Sequence, residues 1–149
     1  MATSRETVLQ ASAVAIGGRA LLIEGPPGSG KSSLALALID RGAGLIGDDA
    51  VRLSRRPDGV LVASPPPNIA GLIELRGVGL AALETAPPAP VALVLALPGP
   101  GDASPERLPE TLPRRALLGC NVPLLRFDPG GIAPAVRAEW ALRLHGLSP

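Results

Sequence analysis

The sequence predicts an α/β fold: a central, mainly β sheet with an N-terminal hairpin and flanking helices. Three observations carry that reading. A glycine-rich loop stands between an apolar run and a stretch of good helix formers, giving the order strand, loop, helix, strand across residues 20–51. A continuous apolar run, VALVLALPG at 91–99, has the composition of a strand covered on both faces. A final stretch, 132–145, repeats large apolar residues at every fourth position, as a closing helix does.

The elements follow in chain order. TVLQASAVAI (7–16) and ALLIEG (20–25) flank GGR and read as the arms of a hairpin with a short Gly-Gly connection. After the loop, SSLALALIDRG begins a helix at its serines and stops it at Gly42. GLIGDDAV (44–51) is a strand ending in adjacent aspartates, which completes a βαβ unit. VLVA (60–63) makes a further short strand. SPPPNIAG (64–71) is a loop, because three consecutive prolines cannot supply ladder hydrogen bonds. LIELRGVGLAAL (72–83) is apolar but broken by Glu74, Arg76 and two glycines. The Pro-rich PGPGDASPERLPETLP (98–113) is expected to be a mobile surface loop, and VPLLRFD (122–128) a last strand. Ile132, Val136, Trp140 and Leu144 form the expected apolar face of the closing helix. With no internal repeat and no boundary, residues 1–149 read as one domain.

Composition excludes several functions. Apolar residues are 46 %, yet there is one Phe, one Trp and no Tyr, so the core is aliphatic and base stacking is not expected. A net charge of +1 without a basic stripe argues against nucleic acid. Arg55–Arg56 and Arg114–Arg115, in Pro-rich surroundings, read as solvated loop charges. No segment approaches 18 uninterrupted apolar residues, and the N-terminus lacks a basic region followed by an apolar run, so a cytoplasmic protein without membrane contact is expected. Cys120 stands alone, which removes intramolecular disulfides and multi-cysteine zinc sites and leaves a small buried hydrophobe. His145, at the end of the last helix, is expected to be exposed.

The chain has thirteen arginines and a single lysine, Lys31, inside IEGPPGSGKSS. Gly25, Gly30, Lys31 and Ser32 fit G-x-x-x-x-G-K-[ST], the phosphate-binding P-loop. The glycines let backbone N–H groups turn inward onto phosphate oxygens, and the following helix adds the positive end of its dipole. Gly25, Pro26, Pro27, Gly28, Ser29, Gly30, Lys31, Ser32 and Ser33 are thus the expected nucleotide-binding segment, with a nucleoside triphosphate as ligand and Mg²⁺ on the Ser32 hydroxyl. An ammonium on a flexible stem suits this cradle, whereas a guanidinium fork is too bulky. Asp48 and Asp49 end the strand after the loop helix and should lie at the carboxyl edge of the sheet, where α/β ligands bind. Glu74, two residues before Arg76, reads equally as a site residue or as a structural one, half of an ion pair or part of the exposed face of a strand.

GPPGSGKSS, LIGDDAV and IELRGVGL, in this order and at this spacing, resemble the catalytic domain of the HPr kinase/phosphorylase family, in its short form without the N-terminal domain. The IE-x-RG-x-G element at 73–79 is the most specific of the three. The resemblance, over residues 8 to 145, implies an ATP- and Mg²⁺-dependent serine kinase acting on HPr or an HPr-like phosphocarrier of the sugar phosphotransferase system. It implies Lys31 on the nucleotide phosphates, Ser32 and Glu74 as Mg²⁺ ligands, Asp49 as proton acceptor and Asp48 as its support. Arg76, with Gly77 and Gly79, falls in the family's catalytic element, and Arg107 matches an arginine the family uses. A homo-oligomer, a hexamer by resemblance, is also implied. Two positions depart from the family: Gln10 replaces a histidine, and Gly131 stands where an arginine is expected. Both weigh against the phosphorylase direction. Two other readings stay open: a small-metabolite kinase whose lid is the 98–115 segment with Arg107, Arg114 and Arg115, and a nucleotide-binding regulatory module without transfer activity, which Gln10 favours.

Overall fold

The structure, a computed structural model, describes residues 5–67, 71–102 and 107–148, so parts of the loops expected at 64–71 and 98–113 lie outside it. The N-terminal apolar run makes two strands rather than one. β1 (Glu6–Leu9) and β2 (Ser12–Ile16) part at Gln10–Ala11, where the Ala11 N–H donates back to the Leu9 carbonyl at 3.0 Å. β2 then turns into β3 (Arg19–Glu24) as the expected antiparallel hairpin. The helix after the glycine loop, α1 (Lys31–Asp40), leads to β4 (Gly44–Gly47) and β5 (Val51–Arg55). β4 runs parallel to β3, but β2 lies between them and pairs antiparallel with both. The expected βαβ unit is therefore split, because the hairpin arm already holds the edge of β3 that a returning strand would take.

The same ribbon explains the curl of the sheet. β1 pairs with β5 and β2 with β4, so both of its chains break at one level, Gln10–Ala11 opposite Asp48–Ala50. A register shift between Ala13 and Val14 adds to the bend. Gly47 permits the turn: a Cβ there would collide with the Ala50 carbonyl oxygen.

β6 (Leu61–Ser64) returns from β5 through a turn in which Arg56 pairs with Asp58 and holds its carboxyl below the usual range. The interrupted stretch at 72–83 is a separate hairpin of β7 (Leu72–Leu75) and β8 (Gly79–Ala82). β9 (Ala89–Ala96) is the central strand, as its unbroken apolar run requires. One of its edges takes β3; the other takes β6 at Ala89–Pro90 and, in parallel, β11 (Cys120–Arg126) at Val94–Ala96. Before β11 comes β10 (Arg114–Leu117), its antiparallel partner, where only loop was expected. Among the described residues nine strands form this one sheet and α2 (Pro134–His145) closes the chain.

Alternation along the strands builds two apolar layers. Leu21, Ile23, Leu93 and Leu95 face α1 and α2 with Leu34, Leu38 and Leu142; Ala20, Leu22, Val91 and Val94 face the inside of the curl with Leu53 and Leu61. Cys120 is half-buried against the second layer, its thiol 3.3 Å from the Gly59 carbonyl.

The closing helix is turned the other way from the expectation. Its buried residues are Ala135, Ala138, Ala141 and Leu142, and Val136 is half-buried, while Trp140 and Leu144 are 49 % and 69 % exposed and Ile132, ahead of the helix, is 89 % exposed. Periodicity marked the larger side chains; close approach to α1 and β9 requires the small ones. His145, expected on the surface, is half-buried. Ala138→Leu should lower unfolding free energy by about 1–3 kcal/mol through overpacking, whereas Leu144→Ser, on the exposed face of the helix, should stay within about 0.5 kcal/mol of wild type. Urea denaturation of the two variants checks this, and the opposite ranking would contradict the orientation of α2.

Candidate active site

β3 delivers Glu24 to the start of the glycine loop. A Cβ at Gly25 would stand 2.5 Å from Ser29 Oγ and 3.1 Å from the Leu97 carbonyl oxygen, so the loop closes only on glycine. Pro26 and Pro27 lie on its exposed side, and the Ser29 N–H donates to the Pro26 carbonyl at 3.1 Å. Gly28 and Gly30 take left-handed φ values of 82° and 98°. Gly30 caps α1 without any side-chain hydrogen bond. The first bond of this helix runs from the Leu34 N–H to the Gly30 carbonyl, so the N–H groups of Lys31, Ser32 and Ser33 have no acceptor within it. The positive end of the helix is open to an anion.

Lys31 folds back over the loop. Its ammonium donates to the Gly25 carbonyl at 2.7 Å and the Pro26 carbonyl at 3.4 Å, and lies 4.0 Å from Asp49 Oδ1. Asp48 and Asp49 sit where the ribbon bends. The buried Asp48 carboxylate accepts hydrogen bonds from Ser32 Oγ (2.7 Å), Ser12 Oγ (3.0 Å) and the Glu74 N–H (3.2 Å). Asp49 adopts φ 63°, its N–H points at Ser12 Oγ (3.4 Å), and its side chain is 79 % exposed. Of the two carboxylates, one organises the interior and the other faces solvent.

The β7–β8 hairpin completes the cleft. Its turn is closed by the Val78 N–H on the Leu75 carbonyl at 2.9 Å, with Glu74 and Arg76 exposed on the cleft side. The resulting space, about 430 Å³, is lined by Pro27 to Ser33 together with Asp48, Asp49, Glu74 and Arg76. Gly25 and Pro26, at the start of the loop, are not among the residues that line this space. Arg107 is not brought here; it lines a different groove, beside Trp140. Gln10 is exposed at the break between β1 and β2, outside the residues that line the cleft.

Two contributors were not legible in the sequence. Ser12 reaches Asp48 only through the β2–β4 pairing. Arg115, expected as a solvated loop charge, grips the Glu24 carboxylate through Nε (2.9 Å) and Nη2 (3.2 Å). The hydrogen bond to Glu24 holds the guanidinium pKa above its ordinary value, against partial burial. This clamp fixes the residue that enters the phosphate loop. It also separates the arginines of the lid reading, with Arg115 tied to Glu24, Arg114 exposed on β10 and Arg107 in the other groove.

A phosphate chain with Mg²⁺ fits these residues. Ser29 Oγ is buried beneath the loop and has no hydrogen-bond partner among the described residues. Ser32, Asp48 and Glu74 offer hard oxygen atoms. Among the described residues no three His, Cys, Asp or Glu side chains gather into a metal cage. Mg²⁺ takes one or two protein oxygens and completes its shell with substrate phosphates and water.

The chain is similar to known proteins in sequence and in fold. Residues 2–86 match the family described as HPr Serine kinase C-terminal domain. The HPr kinase/phosphorylase of Bordetella pertussis is 50 % identical over 68 residues, 46 % of this chain and 22 % of that protein. The one from Clostridium botulinum is 47 % identical over 75 residues, 50 % of this chain and 24 % of that protein. The match thus spans about a quarter or less of the length of these relatives. The structure of the Hpr(Ser) kinase/phosphatase from Coxiella burnetii superimposes with a TM-score of 0.73 at 29 % identity, covering 93 % of this chain and 90 % of that one.

Asp48→Ala should cost about 2–3 kcal/mol of stability, because it strands Ser12, Ser32 and the Glu74 N–H around a void. Asp49→Ala should stay within about 1 kcal/mol, since its side chain is solvated. Chemical denaturation distinguishes the two, and an equal cost would contradict their different burial.

Proposed function

This chain belongs to the HPr serine kinase C-terminal domain family, and from that premise we propose that it binds ATP with Mg²⁺ and phosphorylates a serine of an HPr-like phosphocarrier. The observation that carries the proposal is the convergence of Lys31, Ser32, Asp48, Asp49, Glu74 and Arg76 on one cleft at an open helix N-terminus.

The chemistry follows from the groups present. The loop N–H groups and Lys31 hold the β- and γ-phosphates, and Lys31 exchanges its carbonyl partners for phosphate oxygens. Asp49 accepts the proton of the acceptor hydroxyl as the serine oxygen bonds to the γ-phosphorus and the bond to the β-phosphate oxygen breaks, leaving ADP. Asp48 keeps Ser32 in place through its 2.7 Å bond, so that Ser32 and Glu74 can hold the metal. Mg²⁺ held by Ser32 and Glu74 would supply charge neutralisation to the phosphate chain. Arg76 meets negative charge on the transferring group. Arg107 is left out of this set, because it lines the other groove.

A protein acceptor is favoured over a small metabolite by the hairpin tip. Val78 and Leu80, both largely exposed, stand beside Arg76 and offer apolar surface that a docked protein would cover. The forward direction is the one proposed; with Gln10 and Gly131 in place of the family's histidine and arginine, phosphorolysis is expected to be weak or absent. The same reading takes the chain as one catalytic domain working in the cytoplasm, assembled as a homo-oligomer, with neither nucleic acid nor membrane as partner.

The test is phosphorylation of the HPr-like carrier from the same cell with labelled ATP and Mg²⁺. Wild type should add one phosphate to a serine, and chelation of the metal should stop transfer. Lys31→Ala should lose about a hundredfold or more in rate and weaken ATP binding. Asp49→Asn should lose a similar factor while ATP affinity stays near wild type. No transfer by wild type, with Lys31→Ala indistinguishable from it, would sink the kinase assignment.

A further inference from the structure

The chain contains two aromatic residues, Phe127 and Trp140. Neither is needed by the cleft, yet both line a single groove of about 680 Å³ between β11, α2 and the 107–113 segment. Its apolar walls are Leu108, Leu112, Leu125, Phe127, Trp140 and Leu144. Leu108, Trp140 and Leu144 are exposed, the last two on the face that α2 turns away from the core.

The charged part of the lining is mostly cationic: Arg107, Arg126 and Arg137, against the one carboxylate of Asp128, with the His145 imidazole beside them. Arg137 is committed to structure. It stacks over the Phe127 ring at 4.7 Å and donates to the Ile132 and Asp128 carbonyls. Arg143 stacks over Trp140 at 4.4 Å. No carboxylate among the described residues pairs with Arg107 or Arg126 within salt-bridge distance.

We propose that this groove is a binding site for a small amphipathic organic anion, an apolar ring or chain carrying one carboxylate, sulfonate or phosphate group. The apolar body lies on Phe127, Trp140 and Leu144; the charge meets Arg107 and Arg126. The volume falls in the range of about 300–1,000 Å³ typical of small-molecule sites, which are apolar with a few placed polar groups. A symmetric contact with a second copy is disfavoured by the same residues, because it would set an arginine-rich rim against itself. The proposal is independent of the phosphate cleft, and none of the residues altered in its test lines that cleft.

Trp140 is the sole tryptophan, so its fluorescence reports this groove alone. The probe is 1-anilinonaphthalene-8-sulfonate, with the uncharged N-phenyl-1-naphthylamine as comparator. The sulfonate should quench Trp140 saturably at one per chain and bind more tightly than the neutral probe. Arg107→Gln with Arg126→Gln should weaken the sulfonate about tenfold and leave the neutral probe unchanged, while Leu144→Ser should weaken both. The proposal is overturned by absent or unsaturable quenching, or by equal binding of the two probes that ignores the arginine substitutions. It is also overturned if sedimentation shows a dimer whose formation excludes the probe, or if an acidic amphipathic peptide binds the groove where neither probe does.

Discussion

The buried carboxylate of Asp48 is the constraint on which the rest of the site depends. A carboxylate taken out of water costs several kcal/mol unless its oxygens are hydrogen-bonded. Here Ser12 from β2, Ser32 from α1 and the backbone of Glu74 in β7 supply the donors. Three elements that are distant in sequence are thereby held at one point. The phosphate loop, the strand break and the β7–β8 hairpin keep their relative positions because each contributes a donor to the same anion.

The bend in the β1–β5 and β2–β4 ribbon is the second half of this arrangement. A continuous ribbon would have put Asp48 and Asp49 on opposite faces of a flat strand. Breaking both of its chains at the same level lets Asp48 turn under the loop, while Asp49, in the left-handed region, stays exposed 4.0 Å from the Lys31 ammonium. Asp tolerates that backbone conformation better than most residues. The curl that gives the sheet its second apolar layer and the corner that presents the reactive carboxylate are one feature.

Away from the cleft, α2 reverses the usual economy of an amphipathic helix. Its alanines and Leu142 pack into the core with α1 and β9, while Trp140 and Leu144 look outward beside Leu108 and Leu112. Arg41 and Glu139 tie the end of α1 to α2 at 2.9 Å across the alanine seam. Helix α2 therefore serves two surfaces, one packed by small residues and one left available.

What the sequence determined by itself was local. The P-loop was legible because its requirements, glycines at defined offsets, one lysine and a helix start, lie within nine residues and need no partner from elsewhere. The central strand was legible because burial on both faces leaves an unbroken apolar run. Tertiary structure decided what depends on pairing. Ser12 became a partner of Asp48, and Arg115 of Glu24, only when β2 met β4 and β10 was placed beside β11. Residue spacing also could not show that β2 would split the βαβ unit, or that α2 would pack through alanine. A repeat of four marks where large side chains recur; which side faces the core is set by how closely the neighbouring elements approach.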